Sequence, residues 1–184
     1  MDNGAESYRR FLGGDKNALV EIIRDYKDGL MLFINGLTKN IFTAEEITQE
    51  VFVKLYVKKP KFSGKSSFKT WLYAIGRNTA VDFLRKNGKT DFVSLEDTDF
   101  LSDLTSPELS WFRQQNRLAV HSALEKLKSE YHQILWLVYF EEMSNEQAAA
   151  IMGKSKNNTA VLLHRAKESL KTEMIKEGFD CEDL

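Results

Sequence analysis

Cysteine is almost absent from this chain. The single thiol, Cys181, sits in an acidic tail, so no intrachain disulfide can form and a reducing compartment fits. Proline is nearly as scarce. Only Pro60 and Pro107 interrupt long stretches of helix-compatible sequence, which predicts an all-α protein. The opening MDNGAESYRR has no apolar signal core, and the longest clearly apolar run, residues 134–140, is far too short to cross a bilayer, so a cytoplasmic location is expected. Convergent catalytic groups are missing too. His121, His132 and His164 are scattered, and there is no H-x-x-x-H pair, no C-x-x-C pair and no Gly-rich phosphate loop. No enzyme chemistry, metal site or cofactor is therefore expected, and His121 and His132 read as ordinary helix residues.

Net charge is only −1, but it is unevenly spread along the chain. Residues 54–90 carry ten Lys or Arg against one acid, Asp82, whereas residues 91–110 carry six acids and no base. A second positive stretch, residues 153–171, sets Lys154, Lys156, Arg165, Lys167 and Lys171 against Glu168. Two cationic islands separated by an acidic bridge fit two contacts with one polyanion.

The first island centres on SSFKTWLYAIGRNTAVDFLRKNGK, residues 66–89. Ser66 or Ser67 can cap a helix there and Asn87-Gly88 can end it. At about 100° per residue, Phe68, Leu72, Ile75, Thr79 and Phe83 share an inward stripe, and Trp71, Asn78, Arg85 and Lys89 share its neighbour. Periodicity alone fits an ordinary amphipathic helix with a solvated face. The local charge adds phosphate neutralisation to the aromatic faces of Phe62, Trp71 and Tyr73 and to the amide of Asn78, as single-stranded or opened nucleic acid requires.

Around this stretch, apolar residues of 15–38 recur at helical steps, with a distortion expected at Gly29. Thr43 and Glu46 form a T-x-x-E capping box for a helix running to about Lys58, with Ile47, Val51, Phe52 and Leu55 inward. Its outward Glu45, Glu46, Gln49 and Glu50 make an acidic face, and Pro60 and the basic loop 61–65 follow. Residues 87–107 have no helical period and read as a linker, although Phe92, Val93, Leu95, Phe100, Leu101 and Leu104 are too apolar for a pure spacer. Helices are expected over 108–127 and 130–140, the latter apolar nearly all round and hence buried. Ser144 and Gln147 then give a second capping box, with Ala148, Ala149, Ile151 and Met152 inward, and Gly153 supplies a turn. Ser155 caps a helix whose Thr159, Leu162, Leu163, Ala166 and Leu170 face a core. That spacing fits a helix-turn-helix, although any two-helix corner can look similar; the positive charge on the second helix strengthens the reading.

These residues resemble a known family. FKTWLYAIGRNTAVDFLRK is similar to regions 2.3 to 2.4, and TAEEITQEVFVKLY to region 2.2, of bacterial sigma factors of the sigma-70 superfamily, extracytoplasmic-function (ECF) group. ALEKLKSEYHQILWLVYFEEMSNEQAAAIMGKSKNNTAVLLHRAKESLK resembles their region 4. The likeness implies two small helical domains: region 2 over 1–90 and region 4 over 108–176, with a flexible acidic linker at 91–107 and an acidic tail at 177–184. It also implies a dissociable subunit that binds core RNA polymerase and directs promoter recognition, strand opening and transcription initiation.

On that likeness Glu46, Gln49 and Glu50 match the surface that docks on the polymerase clamp, although carboxylates near a helix start also simply favour its dipole. Lys61, Lys65, Lys69, Trp71, Arg77, Asn78 and Arg85 match the part that captures the non-template strand of the −10 element. Trp71 borders both stripes and fits either a core position or a stacking one. Lys154, Lys156, Asn157, Asn158, Ala160, Val161 and His164 lie where the family reads the −35 element, with Arg165 and Lys167 suited to holding phosphates. The linker resembles the segment that threads the RNA exit path of the polymerase. Ala160, Val161 and Leu162 replace commoner polar or basic residues, which shifts base reading toward 156–158. Thr159 replaces an apolar core residue, and His132 stands where arginine is usual. An anti-sigma protein is expected as a further partner. A stand-alone helix-turn-helix regulator would account for 144–171 but leaves the stripe from Trp71 to Arg85 without a purpose. A sequence-indifferent RNA-binding adaptor is a third possibility.

Overall fold

The structure, a computed structural model, describes residues 3–87, 117–176 and 178. The linker 91–107, Lys89, residues 108–116 of the helix expected over 108–127, and Cys181 lie outside the described residues. All regular structure within them is helical. Helices α1 (Asn3–Leu12), α2 (Lys16–Thr38), α3 (Ile41–Lys58) and α4 (Phe68–Lys86) belong to one compact unit. Helices α5 (Arg117–Lys126), α6 (Ser129–Leu135) and α8 (Lys156–Lys176), with α7 (Asn145–Met152) as far as Ala149, belong to a second.

The first unit is built on α2, which packs against α1, α3 and α4. Asp15 opens it by accepting from the Asn17 N–H, and the Arg10 guanidinium beside Asp15 holds that carboxyl below its usual value. The helix runs unbroken through Gly29, so the distortion expected there is absent. Lys39 ends it in the left-handed conformation, φ 51°. Asn40 then caps α3 by accepting from the Thr43 N–H, so this helix starts two residues before Thr43. Asparagine is among the strongest N-caps, and here it displaces the T-x-x-E box. Ser67 caps α4 as expected, accepting from the Thr70 N–H.

The buried stripe of α4 is rotated from the expected one. Phe68, Leu72, Tyr73, Gly76, Ala80 and Leu84 are buried, together with Thr70 and Thr79, while Ile75 and Phe83 are only half-buried. Gly76 explains the rotation: a Cβ there would stand 2.7 Å from Leu30 Cδ1, so α2 crosses α4 closest at its smallest residue. Gly4 does the same for α1, where a Cβ would fall 2.5 Å from both the Phe68 ring and the Tyr26 hydroxyl. That approach buries Tyr8 and Phe11 of α1, a helix the sequence reading had not anticipated. Removing one such large side chain from water is worth about 1.5–3 kcal/mol.

In the second unit α8 packs against α5 and α6, with Val120, Leu124, Ile134, Leu137, Leu162, Leu163, Ala166, Leu170 and Met174 all buried. Past α6 the chain widens into a π-helical turn, Trp136–Phe140, closed by Glu141 N–H donating to Trp136 O at 3.0 Å. The expected continuous buried helix is thus two segments. Residues 134–137 are buried and 138–140 half-buried, with Trp136 and Phe140 stacked at 4.5 Å and His121 against both rings. Met143 precedes the Ser144 and Gln147 capping box of α7, present in both directions, and Gly153 turns the chain at φ 65°.

Candidate nucleic-acid interface

The loop between α3 and α4 and the seam along α4 form one surface. Tyr8 Oη donates to Pro60 O at 2.7 Å, which ties the loop to α1. Burial pushes the Tyr8 phenol up to about 12, so it stays a neutral donor. Phe62 then lies 5.2 Å from Trp71 and 5.8 Å from Phe68, and Tyr8 lies 5.2 Å from Trp71. Trp71 is half-buried, so it packs against this cluster and still offers part of its ring outward. Lys61 and Lys65 are exposed around the cluster. Lys69 is 6.0 Å from the Tyr73 ring and Lys59 is 5.3 Å from the Phe11 ring.

Trp71, Asn78 and Arg85 stand seven residues apart and so fall on one seam of α4. Asn78 is exposed, Arg77 is half-buried, and Arg85 is exposed and paired with Asp82 at 3.0 Å. The charge available here is smaller than the sequence count of ten cations. Lys54 turns back into the fold, 3.1 Å from Thr79 Oγ1 and 2.8 Å from Glu50.

On α3, Glu46, Gln49 and Glu50 are all exposed. Gln49 donates to Glu45 at 3.5 Å. The same face carries apolar residues that sequence reasoning missed: Phe42 is 76% exposed, Val57 68%, Val53 57% and Tyr56 50%. Phe42, Glu46, Gln49 and Val53 follow three- and four-residue steps, so the acidic surface is striped with apolar groups. The spacing was visible in the sequence; that these large residues point to solvent was not.

The helix-turn-helix presents the second surface. Ser155 Oγ accepts from the Asn158 N–H at 3.2 Å and starts α8. Thr159 is fully buried with its hydroxyl donating to Ser155 O at 2.9 Å, so the polar residue at a core position is satisfied within its own helix. Asn157, Asn158 and His164 are exposed, and Ala160, Val161, Arg165 and Lys167 are half-buried. Lys167 lies 5.6 Å from the Tyr139 ring, which holds it beside the π-helical turn. Lys154 pairs with Glu130 at 3.2 Å and Lys156 with Glu146 at 2.7 Å. Neither pairing was anticipated, because the partners lie on separate elements. His132 is buried against Trp136. Among the described residues no cluster of three His, Cys, Asp or Glu is arranged for a metal, and no helix is long and apolar enough to cross a membrane.

This pair of surfaces coincides with two matched family regions. The family model for Sigma-70 region 2 matches residues 22–90, and that for Sigma-70, region 4 matches residues 117–170. The chain belongs to the sigma-70 family of RNA polymerase sigma factors. As a sigma factor it binds core RNA polymerase and promoter DNA in transcription initiation and performs no chemistry of its own. Among relatives, this sigma factor is 30% identical over 163 residues to RNA polymerase sigma factor YlaC of Bacillus subtilis, covering 88% of this chain and 94% of the relative. It is 25% identical to the ECF RNA polymerase sigma factor SigW of Bacillus subtilis, over 88% of this chain and 91% of that one. Its fold matches CnrH, solved in complex with the cytosolic domain of CnrY, at TM-score 0.61 and 19% identity over 97% of each chain. It also matches the sigma factor RpoE of Bartonella quintana, solved with the anti-sigma factor NepR, at TM-score 0.62 and 24% identity, covering 85% of this chain and 95% of that one. A stand-alone helix-turn-helix regulator leaves the region 2 match without a role.

Proposed function

We propose that this sigma factor divides promoter recognition between its two surfaces. Residues 1–90 act as the polymerase- and −10-binding domain, 91–107 as the acidic linker, 108–176 as the −35-binding domain and 177–184 as an acidic tail. Glu46, Gln49 and Glu50, with the apolar stripe beside them, dock on the polymerase. Lys61, Lys65, Lys69, Arg77 and Arg85 neutralise phosphates of the opened −10 strand, Trp71 stacks an unpaired base, and Asn78 reads a base edge. Lys154, Lys156, Asn157, Asn158, Ala160, Val161 and His164 face the −35 bases, and Arg165 and Lys167 hold the backbone that sets register.

The observation that carries this reading is the aromatic cluster of Tyr8, Phe62, Phe68 and a half-buried Trp71, with exposed Lys61 and Lys65 in the loop that contributes Phe62. Run-off transcription with core enzyme tests it. Asn78→Ala lowers transcription through the −10 element and Lys156→Ala through the −35 element, and single-base promoter changes reassign each defect. Wild-type activity in both variants refutes the assignment.

An anti-sigma protein that covers the exposed Phe42, Val53 and Val57 when polymerase is absent is part of the same reading, supported by the NepR complex of the Bartonella quintana protein. A pull-down from cells that recovers polymerase subunits alone counts against it. The site of action is the cytoplasm, where the polymerase works; fractionation that finds the chain elsewhere contradicts this.

A further inference from the structure

The two lysines that lead into α8 are paired in different ways. Lys154 and Glu130 are enclosed, with side chains 19% and 17% exposed. Lys156 and Glu146 stand in the open at 69% and 60%, yet approach to 2.7 Å. Glu146 is the member of this open pair on the shorter side chain and at a helix start. It lies in the first turn of α7, where the helix N-terminus favours negative charge, and its carboxylate meets the Lys156 ammonium. The Lys156 ammonium beside it holds the carboxyl down to about 2, so it is ionised under all working conditions. Lys156 rides on a flexible four-carbon stem and follows its partner.

An anion beside a lysine discriminates between the two kinds of acceptor that DNA offers. A phosphate reaching Lys156 also meets Glu146, and like charges repel. The O6 and N7 of guanine in the major groove are uncharged, so a lysine can donate to them and keep its carboxylate. We infer that Glu146 is a specificity-determining positioning residue, which holds Lys156 for a guanine edge in the −35 element and turns it away from the phosphate backbone. The inference rests on Lys156 facing that element.

The test uses holoenzyme assembled from the full chain and core RNA polymerase. One duplex carries a −35 element selected by the wild-type holoenzyme from a randomised pool, and the other carries that element scrambled. Dissociation constants are measured across a salt series. Glu146→Gln is expected to bind the scrambled duplex more tightly and to steepen the log–log salt slope by about 0.9, the value of one added phosphate contact. Its preference for the selected duplex is expected to fall by about fivefold or more, the low end of what one good base-edge contact supplies. Glu146→Asp, which keeps the charge, retains the wild-type slope, and Glu146→Gln has no effect when added to Lys156→Gln. An unchanged slope and preference in Glu146→Gln, with Lys156→Gln still impaired on the selected duplex, overturns the role of Glu146 and leaves the −35 reading standing. Weaker binding of Glu146→Gln to both duplexes at an unchanged slope means a purely structural residue and also overturns it. Lys156→Gln that binds both duplexes like wild type removes the −35 reading and the inference together.

Discussion

The two units arm their cations differently. In the loop before α4, which contributes Phe62, Lys61 and Lys65 are exposed, and among the described residues neither is seen in an ion pair. At the start of α8, Lys154 and Lys156 are both held by carboxylates, Glu130 and Glu146. The contrast fits the division of labour proposed above. An opened strand captured by stacking varies in path, so mobile cations over a fixed aromatic floor suit it. On the proposed assignment, a duplex read through its base edges demands register, which cations already held by carboxylates suit.

The aromatic floor is the part of this contrast most easily broken. Phe68 is fully buried at its centre, and Phe68→Ala is expected to destabilise the first unit by about 3–5 kcal/mol, read by urea titration. A loss below about 1 kcal/mol, less than even a poorly packed core position gives, contradicts the packing described here. Trp71→Ala removes a half-buried member, so its loss of stability is expected to be smaller than that of Phe68→Ala. Promoter opening, followed by permanganate reactivity of unpaired thymines, is expected to fall about tenfold, within the range of one lost base stack, while −35 duplex binding is unchanged.

On the other side of the comparison, Glu130→Gln leaves the enclosed Lys154 ammonium without its carboxylate. Urea titration is expected to show a loss of about 1–2 kcal/mol, below the cost for a fully buried pair because both side chains keep some water. The smallest effect is that of acid on Glu146. Its folded value, about 2, lies below the ordinary 4.5, so the pair's contribution is complete above about 4.5 and fades as pH falls toward 2. A carboxyl NMR titration with its midpoint near 4.5 instead shows that Lys156 is not held.

Local signals carried much of the fold. The Ser144 and Gln147 box, Gly153, Ser155 and Ser67 act within three or four residues of their own positions, and all stand where the sequence put them. The buried set of α8, Thr159 included, followed from helical period. What escaped depends on contacts between distant residues. α1 is short, is flanked by Gly13 and Gly14, and is buried through Tyr8 and Phe11 only because Gly4 lets it approach Phe68. The inward stripe of α4 turned toward Gly76 because Leu30 sits opposite. Phe42, Val53 and Val57 point outward although hydrophobicity alone sends them in. The cationic islands were legible as charge, but Lys54 bound to Glu50, and Lys156 bound to Glu146, subtract from them in ways that composition does not reveal.

The division of labour between the surfaces is tested most directly by run-off transcription with core RNA polymerase on promoters changed one base at a time in either element. Asn78→Ala is predicted to lose its response to one −10 position while keeping every −35 response, and Lys156→Ala to do the reverse. A variant whose response changes at the other element, or at both alike, contradicts it.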